Sequence, residues 1–240
     1  MLKLADNITS FLFLPQDAYA ARIQALFKTY GSQCAFAQFW TQAENATVCR
    51  VDGVMTLCCN EDADYEELKV FVETVGCKTL VCSYEVCAKL GYTPSASSHI
   101  VEYKGDICVN PFCENPDLKQ MHSLLLQCGF AMGDYGSFLA DFAARLNKGT
   151  AKTSAIVSNS IDACASALFI GEKSVLLGAV ATNPEKRGKG LASELVSSLA
   201  GEMKAQGKRV FLFCREDSLL GFYKKIGFVA CGKWTEVNFD

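Results

Sequence analysis

Arg187-Gly188-Lys189-Gly190-Leu191-Ala192 is the stretch on which the reading of this chain turns. An apolar segment ending in Asn183-Pro184-Glu185 runs into it. A helical pattern leaves it, with Leu191, Leu195, Leu199 and Met203 four apart. The order is strand, tight basic-glycine turn, amphipathic helix. Glycines at 188 and 190 keep side chains away, so the backbone can close around an anion. The first N–H groups of the following helix lack helical partners and point outward. Arg187 and Lys189 add positive charge. One helix-end interaction contributes about 0.3–2 kcal/mol, so several amides must act together to hold a phosphate.

The spacing excludes two common nucleotide loops. A Walker loop needs Gly-x4-Gly-Lys-Ser/Thr, which is absent. A Rossmann turn needs Gly-x-Gly-x-x-Gly, and Ser193 stands where the third glycine would be. Arg187-x-x-Gly190-x-Ala192 instead resembles the pyrophosphate loop of the GNAT N-acetyltransferases, Gln/Arg-x-x-Gly-x-Gly/Ala. Phe222-Tyr223-Lys224-Lys225-Ile226-Gly227-Phe228 is similar to the segment that closes the acetyl-coenzyme A (acetyl-CoA) site in that family. The interval between them, a helix and then a strand at Val210 to Cys214, also fits. The resemblance covers roughly residues 106 to 240.

Composition bounds the alternatives. The chain has 240 residues, 50% hydrophobic and 20% charged, which suits a globular protein of one or two domains. Net charge is −3 and there is no basic tract, so nucleic-acid binding has no electrostatic support. No apolar run is long enough to span a bilayer. The apolar patch at Ile8 to Leu14 lacks the flanks and cleavage pattern of a signal peptide, and a cytoplasmic location is expected. Thirteen cysteines are scattered without paired Cys-x-x-Cys knuckles, and His99 and His122 are the only histidines. Free thiols acting as small hydrophobes are expected, with no metal site.

The second half predicts helices at 116–127 and 137–146. Three consecutive strands follow at 153–157, 163–170 and 174–182. Then come the glycine turn and its helix, the strand at 210–214, a helix carrying Phe222 and Tyr223 with Asp217 or Ser218 as its cap, and a strand at 228–239. The first half repeats this plan in worn form. It predicts a helix at 16–30, strands at 34–42, 47–51 and 54–59 with an Asp52-Gly53 hairpin turn, and a helix from Tyr65 capped by Asp64. A strand at 79–82, a short helix capped by Ser83, and a strand at 100–103 complete it. Leu90-Gly91-Tyr92 echoes Ile226-Gly227-Phe228. The expected fold class is α/β (α+β): the GNAT acyl-CoA N-acyltransferase fold, a mixed, mostly antiparallel sheet flanked by helices, in tandem. Residues 1–105 form a degenerate GNAT-like domain and residues 106–240 the catalytic domain.

Where the first half should carry the glycine turn, it reads Asn60-Glu61-Asp62-Ala63-Asp64, with three acids and no glycine. Those acids would repel a diphosphate, and Cys87 occupies the position aligned with Tyr223. The first half is therefore expected not to bind coenzyme A (CoA), but to buttress the second half and wall the acceptor cleft.

The resemblance implies an enzyme that moves an acetyl group from acetyl-CoA, as cosubstrate, to a primary amine of a small molecule or peptide. Backbone amides at Gly188, Lys189, Gly190, Leu191, Ala192 and Ser193, with Arg187, would grip the diphosphate. Val180, Ala181 and Thr182 match the strand that pairs with the pantetheine arm and supplies an N–H to the oxyanion. Tyr223 matches the general acid that protonates the departing thiolate. A phenol of pKa about 10 can donate to a thiolate whose thiol pKa is about 8.5. The base is not named by the residues: Glu216 and Asp217 are candidates at the open end of the strand, and a water relay to another acid serves equally. The family often places Asn near this point to contact the cofactor. Arg215-Glu216-Asp217 stand there instead, so that contact is not carried over. Two other readings stay open. One is a non-catalytic acyl-CoA sensor or scaffold. The other is a first half that acts as a separate recognition domain, in which case residues 106–240 alone would be fully active. The acceptor and the oligomeric state are not legible.

Overall fold

The computed structural model of the chain describes every residue except Leu12, Leu14, Asn115 and Asp240, and every other side chain except that of Cys113. Two positions of the apolar patch at 8–14 thus lie outside the described residues. In chain order the first half contributes β1 (Lys3–Leu4), α1 (Ala18–Tyr30), β2 (Ala37–Gln42), β3 (Ala46–Val51), β4 (Val54–Cys59), α2 (Tyr65–Val75), β5 (Thr79–Ser83), α3 (Tyr84–Lys89) and β6 (Ala96–Tyr103). The second half contributes β7 (Cys113–Glu114), α4 (Leu118–Gln127), α5 (Tyr135–Asn147), β8 (Lys152–Val157), β9 (Ile161–Ile170), β10 (Ser174–Thr182), α6 (Leu191–Ala205), β11 (Arg209–Cys214), α7 (Leu220–Lys225) and β12 (Phe228–Asn238). The tandem plan read from the sequence is present.

Local chemistry sets many of the element ends. The Asp17 carboxylate accepts the Tyr19 and Ala20 amides at 2.9 Å and starts α1. Asp52 and Gly53, at φ 50° and 82°, make the two-residue turn that joins β3 to β4. Ser83 caps α3, as its hydroxyl suits it to do. The expected cap of α7 does not form. Neither Asp217 nor Ser218 caps a helix there, because the Asp217 carboxylate accepts the Ser98 hydroxyl of β6 at 2.9 Å instead.

One sheet runs through the molecule in the order β1-β2-β3-β4-β5-β12-β6-β11-β10-β9-β8-β7. Its two parallel pairs, β4 with β5 and β10 with β11, sit at equivalent places in the two halves. Between them the last strands of the halves are exchanged. β6 lies between β11 and β12, so both its neighbours come from the second half. β12 lies between β5 and β6, so both its neighbours come from the first. Glu102 of β6, 5% exposed, clamps Arg209 of β11 through two bonds of 2.9 and 3.0 Å. Arg209 is the main cause that holds this carboxyl below its usual pKa. The connection after β6 is also fastened. A Cβ on Gly201 of α6 would come within 2.6 Å of the Cys108 carbonyl oxygen, and the Asn110 amide donates to Ser198 at 2.8 Å.

Helices α6 and α7 cover one face of the second-half sheet, through Leu195, Leu199 and Tyr223 packed on Val101, Leu177, Leu212 and Phe228. The other face wraps α1, which is buried nearly all round by residues that include Ala18, Ala20, Ala21 and Ala25. Those small side chains let the sheet's connections approach closely: a Cβ on Gly171, in the turn between β9 and β10, would lie 2.9 Å from the Ala21 Cα. α1 serves both halves. Cys58 of β4 lies against the Asp17 carboxylate at 3.6 Å, and Ser174 of β10 donates to the Asp17 carbonyl at 2.8 Å. Every cysteine whose side chain is described is a free thiol.

Candidate active site

The site forms where β10 parts from β11. Their parallel pairing stops at Leu177 with Leu212. Beyond it the register of β10 against β9 slips between Gly178 and Ala181, and Ala179 takes a left-handed φ of 50°. This is a bulge, with an extra residue that bends the strand and turns its edge outward. A non-glycine residue in that conformation costs about 1–3 kcal/mol, a strain characteristic of functional sites. Ala181 and Thr182 remain paired to Cys164 and Ala163 on the β9 side, while Val180 falls within the bulge. The edge of 178–182 that faces β11 has no strand partner among the described residues. Its backbone groups can therefore pair with an extended ligand.

The glycine turn closes the open end of this gap. Asn183 accepts the Glu185 amide at 3.0 Å and sets a 3-10 turn over Pro184–Lys186. Gly188 and Gly190 have φ of 78° and 82°. A Cβ on either would meet nothing within 4 Å, so conformation rather than space selects glycine here. α6 follows with no side-chain cap. The other long helices differ: α1, α2, α4 and α5 are each capped by an aspartate, Asp17, Asp64, Asp117 and Asp134. Among the described helices of ten or more residues, α6 alone leaves its first amides unclaimed by a side chain. In the first half, Asp64 already accepts the Glu67 amide at 3.0 Å, so the equivalent helix end is occupied.

The cations around the turn have partners within the chain. Arg187 folds back, its Nε donating to the Thr182 carbonyl at 3.3 Å and its Nη2 lying 3.7 Å from the Cys128 sulfur. Lys186 approaches Asp162 at 3.8 Å. Lys189, Gly188 and Gly190 are exposed, and Leu191, Ala192 and Ser193 are half-buried at the head of α6.

Tyr223 stands on α7, buried in the core shared with Leu195 and Leu199 of α6 and Cys214 of β11. Its ring centroid is 5.1 Å from that of Phe222 and 5.7 Å from that of Phe228. Burial, and secondarily Cys214, pushes its phenol pKa well up, so the group stays protonated through the neutral range. Cys87, its counterpart on α3, is fully buried, with its sulfur 3.5 Å from the Tyr92 carbonyl oxygen.

Of the two carboxylates named as bases, Glu216 accepts the Ser218 hydroxyl at 3.2 Å. Asp217, 80% exposed, is shared by Ser98 and by His99, whose Nε2 is 3.7 Å away. Ser98 and His99 reach this position because β6 is exchanged, which no local pattern announces. The bulge at Ala179 had a signal: an isolated Gly178 inside a strand pattern marks a bulge.

Residues 156–237 match the model of the family described as FR47-like protein. The fold of the whole chain is that of GNAT acetyltransferases, in tandem. A tandem GNAT protein from the clavulanic acid biosynthesis pathway superimposes with a TM-score of 0.62 at 12% identity, over 98% of this chain and 97% of that one. A GCN5-related N-acetyltransferase from Kribbella flavida gives 0.58 at 12% identity, over 90% and 95%. A GNAT-family acetyltransferase from Colwellia psychrerythraea gives 0.53 at 11% identity, over 100% of each chain. No curated protein matches the sequence. No helix among the described residues is long and apolar enough to cross a membrane.

Proposed function

We propose that this chain is an acetyl-CoA-dependent N-acetyltransferase whose acceptor is a primary amine of a small molecule or peptide. The observation that carries the reading is the uncapped start of α6 behind Gly188 and Gly190, set at the mouth of the gap between β10 and β11. Amides from Gly188 to Ser193 would hold the diphosphate of CoA, with Lys189 adding charge and Arg187 able to swing from the Thr182 carbonyl. The free edge at Val180, Ala181 and Thr182 would pair with the pantetheine arm. An N–H on that edge would meet the oxyanion, a contact typically worth about 10²–10³ in rate. Tyr223 would give its proton to the departing thiolate. Glu216 and Asp217 stay as candidates for the base, with Asp217 oriented by Ser98. In this reading residues 106–240 carry the site and residues 1–105 complete its sheet and its floor.

Free-thiol release from acetyl-CoA across a panel of primary amines tests the proposal. We expect amine-dependent release with at least one acceptor, together with the N-acetylated product by mass spectrometry. Tight CoA binding without release from any amine would turn the reading toward a sensor.

A further inference from the structure

α1 carries two polar groups that no described residue satisfies. The Arg22 guanidinium makes no hydrogen bond and no ion pair among the described residues, and its Nε is shut off from solvent without a partner. Its neighbour is an aromatic ring: Cζ lies 5.3 Å from the centroid of Phe169. Arg145 approaches the same ring at 4.9 Å, so a second cation stands beside the first. Arg145 is satisfied by Asp141 and by the Leu168 carbonyl at 2.8 Å. Glu236, the acid whose field reaches Arg22, is held by Arg215 at 2.9 Å. Burial accordingly draws Arg22 below its ordinary pKa. One turn earlier on the same helix face, Tyr19 is 3% exposed and its hydroxyl also lacks a partner.

An enclosed guanidinium N–H without a partner is costly and is rarely retained in a fold for packing alone. Arg22 is part-buried, and its terminal nitrogens, unlike Nε, are not among the enclosed atoms, so an outside anion can reach them. The Tyr19 ring, one turn from Arg22 on α1, packs against the strand that borders the gap. It is 5.5 Å from Phe213 of β11, which stacks on Trp234 at 5.7 Å. Phe213 precedes Cys214, and successive strand residues face opposite sides of a sheet. Phe213 therefore packs toward α1, while Cys214 packs with Tyr223 on the other side. Tyr19 of α1 thus reaches Phe213, the first residue of β11 beyond its pairing with β10.

Resting on the acetyl-transfer reading above, we propose that the terminal nitrogens of Arg22 dock an anionic group of the acceptor. The substrate class is then a primary amine that also carries a carboxylate or a phosphate. The amine would enter the gap from the α1 side with its anion held against α1. A guanidinium fork suits either oxyanion by paired N–H bonds.

Two measurements decide it. The first compares each anionic amine with a neutral isostere: phosphoethanolamine with ethanolamine for phosphate, amino acids with their amides for carboxylate. Wild type should prefer one anionic series. Arg22→Met should lower kcat/KM for that series by about 10²-fold, mostly through KM, so that the anionic-to-neutral ratio collapses. Arg22→Lys, which keeps charge without the fork, should fall between. The second needs no turnover. Inorganic phosphate or malonate, added to the CoA-saturated protein, should raise the melting temperature of wild type and not of Arg22→Met, and Arg22→Met alone should melt no lower than wild type. If the anions shift both proteins equally, the docking site is overturned whether or not acetyl transfer is seen. If the anion shift depends on Arg22 but no amine is acetylated, the site stands and the acetyl-transfer reading fails.

Discussion

Residues 106–240 expressed alone should not yield a folded protein. The cut removes β6, which supplies both neighbours' pairing: Phe211–Cys214 of β11 bond to it on one side and Phe228–Glu236 of β12 on the other. It also removes the burial of Ile100, Val101 and Tyr103. At about 1.5–3 kcal/mol for each large buried side chain, those three contribute about 5–9 kcal/mol. That rivals the whole net stability of a domain, about 5–15 kcal/mol. Loss of α1 strips the opposite face as well, and two bare strand edges invite aggregation. Circular dichroism and a melting curve check this: we expect no cooperative transition in the fragment and one in the full chain. A soluble fragment with a cooperative melt would show that the exchange of β6 is dispensable. The question whether the first half takes part in catalysis is therefore better asked with point variants of the full chain than with a truncation.

Tyr223→Phe should lower kcat by about 10²-fold, the usual worth of a positioned general acid. The change deletes one oxygen and keeps the ring that packs on Phe222 and Phe228. The Tyr223 hydroxyl has no hydrogen-bond partner among the described residues, so the fold has little to lose. Melting temperature and CoA affinity should both stay close to wild type. Because burial raises the phenol's pKa, its proton is in place across the neutral range, and the deficit should be nearly constant with pH there. Unchanged kcat would remove Tyr223 from the chemistry. A fall in CoA affinity equal to the fall in rate would make it a packing residue only.

Much of this was legible in the sequence because it is local. A glycine turn between a strand and a helix, an Asp or Ser before a helix and an Asp-Gly hairpin each depend on neighbouring residues. The observed elements begin and end close to where those signals place them. The bulge that opens the site needed one further step, from Gly178 in a strand to an irregular Ala179. The exchange of β6 and β12 was not legible. Ile100 to Tyr103 alternates in the same way whichever strand lies beside it, and pairing partners distant in the chain leave no local mark. Asp217 reads as a helix cap until β6 brings Ser98 within reach. Arg22 reads as an ordinary helix cation, since nothing nearby in the chain shows that α1 is enclosed by both halves.

The central claim is that the turn at 187–193 binds a diphosphate on exposed backbone amides. Calorimetric titration of CoA into the full chain tests it most directly, with Gly190→Asp as the paired variant. Aspartate is among the few side chains that enter the left-handed region, at some strain, and at Gly190, with φ 82°, it sets a carboxylate in the cradle. The account predicts saturable one-to-one binding to wild type and an affinity about 10²-fold weaker in the variant, the loss expected when a like charge opposes the bound anion. No heat with wild type, or equal affinity for both proteins, would contradict it.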